Sequence, residues 1–131
     1  MDNEEIIKLD PSLIKDGEIM LKVLDGTEIA PSAALWFYFR DLKSWRLVIS
    51  SSYFNKKNPQ DCYKKVIESI NKQKFIRLYI GDITLLPADD NLINILKVAI
   101  RTDKKSISGI RFTSSVINGV LIDDAYIYRL S

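Results

Sequence analysis

Two acid pairs are the residues of this 131-residue chain that are best suited to holding a metal ion. Asp89-Asp90 and Asp123-Asp124 offer carboxylates, which hard cations such as Mg²⁺ prefer. Neighbouring residues of a strand point to opposite faces, however, so Asp123 and Asp124 are poorly placed to share one ion. Asp89-Asp90 has a sufficient alternative role as a helix cap. We therefore predict no metal site and no cofactor, and rank a carboxylate-based metal-dependent enzyme third among the possible functions.

Cys62 is the only cysteine, and the chain contains no histidine. These counts exclude Ser-His-Asp and Cys-His catalysis and the zinc sites that use histidine. Cys62 follows Asp61, which we expect to cap a helix, and a helix N-terminus can lower the pKa of a thiol. No general base is identifiable for this thiol, so a structural cysteine is favoured. Neither G-x-G-x-x-G nor a P-loop pattern occurs.

Composition favours one soluble domain. The chain is 47% hydrophobic and 27% charged, the ordinary mixture of a globular protein. We expect a loose arm over residues 1–9 and a single domain over residues 10–131. The acidic start lacks the features of a signal peptide, and one cysteine allows no intrachain disulfide, so we predict a cytoplasmic protein. The longest apolar run, residues 33–39, is too short to cross a membrane.

Charge is distributed unevenly along the chain. Residues 1–30 hold eight acidic and three basic side chains, whereas residues 31–85 hold ten basic and four acidic ones. A basic segment can face nucleic acid, and this alternative ranks second. Its candidate contacts are Lys56, Lys57, Lys64, Lys65 and Arg77. The simpler interpretation is that the acidic segment packs beside the basic one and cancels its charge.

The first half of the chain predicts a helix followed by a hairpin. Asp10-Pro11 is a typical helix start and Gly26 a typical stop, although alternation at Ile19, Leu21 and Val23 leaves a short strand as the alternative. "ALWFYFRDLKSWRLVIS" predicts two strands around an Asp41–Ser44 loop, with Tyr38 opposite Leu47. Both strand faces are apolar, which indicates strands that are covered on both sides.

The middle of the chain predicts two helices separated by strands. The first begins at Asp61, and its inward stripe is expected to be Tyr63, Val66, Ile67 and Ile70. "FIRLYI" predicts a further strand, and "ITLL" a second short one. Asp89 or Asp90 then caps a helix whose expected inward residues are Leu92, Ile95, Leu96 and Ala99. The fold class is α+β, a mostly antiparallel sheet of two hairpins and a middle strand with about three helices.

Asn118-Gly119 predicts the closing hairpin, because it joins two β-branched runs as a two-residue turn. This register pairs Val116 with Leu121 and assigns to the core face Ile110, Phe112, Val116, Leu121, Ala125 and Ile127, with Ser114 and Asp123 near its rim. The opposite face is the candidate binding surface, and we expect it to be exposed: Arg111, Thr113, Asp124, Tyr126 and Tyr128. We expect Arg111 to stack on Tyr126 and to reach Asp124.

The segments "ALWFYF…WRLVIS" and "ISGIRF…VINGVLIDDAYIYRL" resemble a group of small bacterial proteins that are known only as hypothetical proteins. The resemblance covers about the last hundred residues and implies neither an activity nor a catalytic residue. The first-ranked function is therefore a non-catalytic, cytoplasmic interaction or regulatory module whose partner is another protein. A homodimer through an exposed edge of the C-terminal strand is the second type of protein partner considered.

Overall fold

The computed structural model describes residues 7–131, which form three α-helices and one five-stranded sheet. The elements are α1 (Pro11–Asp25), β1 (Ala33–Phe39), β2 (Ser44–Ser51), α2 (Pro59–Asn71), β3 (Ile83–Pro87), α3 (Asn91–Ala99), β4 (Ile110–Ile117) and β5 (Val120–Leu130). The strand order is β3-β2-β1-β5-β4. The α+β class is confirmed. The sheet is mixed rather than wholly antiparallel, because β3 runs parallel to β2.

Both faces of the sheet are covered, as the apolar strands predict. Trp36, Leu47 and Ile49 pack with residues of α1 and α2 on one face. Leu35 and Val48 pack with residues of α3 on the other face. The molecule therefore has three layers, with the sheet in the middle and the helices divided between its two sides.

The β1–β2 hairpin has a register two residues away from the predicted one. Tyr38 lies opposite Trp45 rather than Leu47, because the strands end at Phe39 and resume at Ser44. Four residues turn between them, and Lys43 has a φ of +50°. A shift of two residues leaves each side chain on its predicted face, so the assignment of faces is correct although the pairing is wrong.

Residues 75–80 are not the strand that "FIRLYI" predicts. The side chain of Asp16, which is fully buried in α1, accepts the backbone N–H groups of Ile76 (2.9 Å), Arg77 (2.7 Å) and Leu78 (3.0 Å). A carboxylate thus occupies the donors that a sheet ladder would need. The second short strand that "ITLL" predicts is confirmed as β3, Ile83–Pro87.

Helix α2 begins earlier than predicted, because Asn58 is its cap and Pro59 its first residue, while Asp61 lies in the first turn. Proline is well suited to a first helical position, since its missing N–H would have no partner there. The buried stripe consists of Cys62, Val66 and Ser69. Ile67 is exposed, so the predicted inward stripe is wrong at this position.

The other two helices begin at predicted residues. The side chain of Asp10 accepts the N–H of Ser12 at the start of α1, and the side chain of Asp90 accepts the N–H of Leu92 at the start of α3. The inward residues of α3 are Ile93 and Leu96. Ala99 is exposed, because the helix ends there and the chain turns away.

Two predictions concern the ends of the chain. We expect a loose arm over residues 1–9, of which residues 1–6 lie outside the described part. In the remainder of this arm, Leu9 is buried, and the carbonyl of Ile7 accepts a hydrogen bond from the Trp45 indole. The C-terminal strand β5 was expected to offer a free edge. It lies between β1 and β4 from Ala125 to Leu130, so this expectation is wrong for that stretch, and β3 and β4 are the edge strands.

Candidate functional site

The β4–β5 hairpin has the predicted turn. Asn118 and Gly119 have φ values of +49° and +79°, the two left-handed residues of a type I′ turn. The strands pair Ile117 with Val120 and Arg111 with Tyr126. The predicted turn and register are therefore confirmed.

Ser114 interrupts the alternation of side chains along this hairpin. It has a φ of +45°, and the ladder lacks the pair that Ser114 and Asp123 would form. Between this point and the turn, Ile117 and Ile122 are buried in the core beside α3, whereas Val116 and Leu121 are exposed. The predicted core face is wrong for Val116 and Leu121, because a left-handed residue changes which way the following side chains point.

The turn end of the hairpin extends beyond its neighbouring strand. β1 pairs with β5 only from Ala125 to Leu130, so residues 120–124 pair with β4 alone. Three apolar side chains at this end are exposed to solvent. They are Val116, Val120 and Leu121, with exposed fractions of 68%, 37% and 48%, and are named the apolar tip below.

Two arginine–aspartate pairs hold the base of the projecting segment. Arg40 donates to Asp123 through Nε (3.0 Å) and Nη2 (2.7 Å). Arg111 donates to Asp124 through Nε (2.7 Å) and Nη2 (2.5 Å), as the register predicts. Both contacts are bidentate, which fixes orientation as well as distance. The hydrogen bonds that Arg111 donates to Asp124 raise the pKa of Arg111 above its ordinary value.

Arg111 stacks on a different ring from the one expected. Its guanidinium carbon lies 5.7 Å from the ring centre of Trp45, a residue of β2, rather than on Tyr126. Tyr126 is partly buried and meets Tyr128 edge-on, with ring centres 5.4 Å apart. Thr113 and Arg111 are the exposed members of the predicted binding surface.

Tyr128 does not lie on an exposed face, contrary to the prediction. It is buried beneath α1, where its hydroxyl donates to the carbonyl of Ile14 (2.5 Å) and accepts from the indole of Trp36 (3.1 Å). Gly17 allows this approach, because a Cβ at that position would lie 2.8 Å from the Trp36 indole nitrogen. Burial raises the pKa of the Tyr128 phenol above its ordinary value.

Arg129 is a buried residue that the sequence patterns miss. Ala34 pairs with Arg129 and Leu35 with Ile127, so a β-bulge leaves Tyr128 as the extra residue. The guanidinium of Arg129 makes a bidentate contact with Asp25 (2.7 and 3.0 Å) and also donates to two backbone carbonyl groups. A strict two-residue alternation conceals this arrangement, because the bulge turns consecutive side chains toward the same face.

The basic residues of the nucleic-acid alternative are partly engaged with neighbours. The set is Lys56, Lys57, Lys64, Lys65 and Arg77. Arg77 forms an ion pair with Asp10 at the start of α1, and the amine of Lys65 lies 4.0 Å from Glu28. The acidic N-terminal segment therefore neutralises part of the basic one, which is the simpler interpretation of the charge pattern.

Neither acid pair forms part of a metal-binding cluster. Residues 7–131 contain no group of three or more Cys, Asp or Glu side chains suited to holding a metal ion. Asp123 and Asp124 each receive an arginine instead, and Asp90 caps α3. Burial raises the pKa of the Cys62 thiol, which is the opposite of what an activated nucleophile requires.

Comparisons with known proteins find no relative of this chain. No protein-family model, no curated protein and no solved structure matches the chain. In the part of the chain that the structure describes, no helix is both long and apolar enough to span a membrane. The candidate site is therefore defined by its own geometry, an apolar tip on a hairpin that two arginine–aspartate pairs hold at its base.

Proposed function

We propose that this protein is a non-catalytic interaction module that binds another protein through the apolar tip. The observation that supports this proposal is the exposure of the cross-strand pair Val116 and Leu121 at the end of the hairpin, with Val120 exposed beside the turn on the other face. Exposed apolar side chains that cluster on a polar surface are typical of contact sites between proteins. A groove that receives both faces of the turn end would remove all three from water.

The chemistry of the tip favours an apolar groove as the partner surface. Residues 115–122 contain no charged side chain, and the acids that follow, Asp123 and Asp124, are already paired with Arg40 and Arg111. A charged partner would find no unpaired charge in this segment. An apolar partner would gain burial without having to desolvate an ion.

The base of the hairpin is preorganised for such contact. The type I′ turn and the two bidentate ion pairs restrict the backbone before any partner arrives. A rigid element loses less conformational entropy on binding than a flexible loop of the same composition. We also propose a cytoplasmic location, which the free and buried thiol of Cys62 supports.

A paired set of variants tests the role of the tip. Val116→Ser with Leu121→Ser removes apolar surface from the tip, and Ile67→Ser with Val98→Ser removes exposed apolar groups from α2 and α3. A cross-linker attached at the tip captures and identifies the bound protein. That protein is then purified, and titration calorimetry measures its affinity for each variant. We expect the tip variant to bind at least about tenfold more weakly and the helix variant to bind like the wild type.

Sedimentation equilibrium of the purified protein completes this test. A dimer that the tip variant abolishes would identify a second copy of the chain as the partner. Equal affinity of the tip variant and the wild type would contradict the proposal. So would the absence of any complex, either with a cross-linked protein or between copies.

A further inference from the structure

A second surface feature lies at the opposite end of β5 from the apolar tip. It is a cavity of about 510 Å³ between the end of α1, the segment before β1, the connection before β4 and the end of β5. Its volume falls within the range of about 300–1,000 Å³ that is usual for small-molecule sites. Leu121 and Arg129 are eight residues apart, roughly 26 Å along the strand, so the two features are separate.

Arg129 forms a fixed wall of this cavity. Its guanidinium holds Asp25 in a bidentate contact and donates to the carbonyl groups of Pro31 (3.0 Å) and Ser106 (3.0 Å). The charge of Arg129 is therefore balanced by Asp25, and both side chains are oriented by several contacts. The pair contributes shape to the cavity but little net charge.

Lys104 and Lys105 give the cavity its excess positive charge. Both line it, both are exposed, and neither pairs with a carboxylate among residues 7–131. Two unpaired lysines give this side of the cavity a positive potential. That potential attracts an anionic ligand and repels a cationic one.

The part of the lining next to Arg129 is apolar and has a constrained backbone. Ala30 and Pro31 line the cavity, and Ala30 has a φ of +41°, a left-handed conformation that is uncommon for a residue with a Cβ. The neighbouring Ser32 donates its N–H to the carbonyl of Ser50 (2.9 Å), which anchors the segment to β2. The cavity therefore presents an apolar wall together with two lysines.

We propose that this cavity binds a small organic anion. Its carboxylate or phosphate group lies near Lys104 and Lys105, and its short apolar part packs against Ala30 and Pro31. This site does not depend on the apolar tip, so the tip variant retains it.

Chemical-shift titration with defined probes tests this site on the full chain, with any purification tag at the amino end because Ser131 lines the cavity. The probes are inorganic phosphate, butanoate, butyl phosphate and butylammonium. We expect butanoate and butyl phosphate to shift the backbone amides of Ala30, Ser32, Lys104, Lys105 and Arg129. The tighter of these two probes identifies the acid group that the site prefers.

Matched lysine variants decide where the anion binds. Lys104→Gln with Lys105→Gln removes the charge at the cavity, and Lys56→Gln with Lys57→Gln removes the same charge from another adjacent exposed pair. We expect the first variant to bind the preferred probe at least about fivefold more weakly and the second to bind it normally. Thermal melting verifies that both variants fold.

Several outcomes would overturn the proposal. Equal weakening by the two lysine variants, or shifts spread over lysines throughout the chain, would indicate non-specific attraction to charge. Binding of butylammonium as tight as that of butyl phosphate would exclude a site for anions. If inorganic phosphate bound as tightly as butyl phosphate, the apolar wall would not contribute to ligand recognition.

Discussion

The two ends of strand β5 both bury polar side chains, but only one of them exposes apolar ones. At the covered end, the polar side chains of Tyr128 and Arg129 are buried beneath α1 and beside its last residue. At the projecting end, Val116 and Leu121 are exposed. Burial of polar groups at one end and exposure of apolar groups at the other are both costly unless each group has a partner.

The covered end has its partners within the chain. Every buried side-chain nitrogen or oxygen in the described part has a hydrogen-bond partner. The projecting end has no such internal partner for its apolar groups. Polar burial at the covered end therefore contributes to the fold, whereas the exposed apolar side chains of the tip contribute little to it.

Arg129→Met is expected to cause the largest loss of stability. It leaves Asp25 and two carbonyl groups without their donor, and breaking a buried pair of this kind costs about 3 kcal/mol or more. Arg111→Met is the comparison at the projecting end. Its arginine is 46% exposed and makes no bond to a carbonyl group, but the change leaves the 11% exposed carboxylate of Asp124 without its donor, so we expect a smaller cost of about 1–2 kcal/mol. Urea unfolding measures both, and equal costs would contradict the comparison.

Gly17→Ala tests how closely α1 approaches the covered end. Alanine would stabilise an exposed helix by about 1 kcal/mol, but here its Cβ would collide with Tyr128 and Trp36. We expect a net loss of about 1–3 kcal/mol, which is typical of an overpacked core. Gly26→Ala is the control, since its Cβ would lie 3.5 Å from the nearest atom. The same urea assay should find Gly17→Ala the more costly change, and a stabilising effect would refute the close approach.

Tyr128→Phe is expected to cost about 1–2 kcal/mol, because the hydroxyl bonds to Ile14 and Trp36 would be lost. Burial raises the pKa of Tyr128, so the fold favours the neutral phenol. The stabilisation of the fold by the neutral phenol is fully present below the ordinary tyrosine pKa of about 10 and is lost as the pH rises above it. As the pH is raised from roughly 8 to 11, the urea unfolding midpoint should fall less in the variant than in the wild type. Tyr79→Phe, at an exposed position, is the control.

Leu121→Ser is expected to change stability least, by about 0.5 kcal/mol or less, because the side chain is already exposed. Ile122→Ala, one residue further along β5, should cost about 2–5 kcal/mol, since Ile122 is fully buried. Thermal and urea unfolding compare the two. If Leu121→Ser were the more costly variant, the change of faces at Ser114 would be incorrect.

Local signals predict much of the fold. Asp10-Pro11 marks the start of α1, Asn118-Gly119 marks the turn, and the apolar strands on both sides of residues 40–43 indicate a covered sheet. Each of these signals lies within a few residues of the structure it determines. The hairpin register follows from the turn alone, which is why the Arg111–Asp124 contact was predictable.

The features that escaped prediction depend on residues far apart in the chain. Asp16 binds the backbone of residues 76–78, some 60 positions away, and thereby removes the strand that their side chains favour. Arg129 meets Asp25 across 104 positions. The left-handed Ser114 and the bulge at Tyr128 break the two-residue alternation on which face assignments rely. The apolar tip was missed for this reason.

The interior position of β5 has a consequence for how the chain folds. β1 pairs with residues 125–130, so its edge on that side stays unpaired until those residues have left the ribosome. Leu35 and Phe37 are in that strand, and closing the pairing requires contacts across about ninety residues. Such long-range closure is slow and leaves aggregation-prone edges exposed in the meantime. Protection of the nascent chain by a chaperone would matter most in that interval.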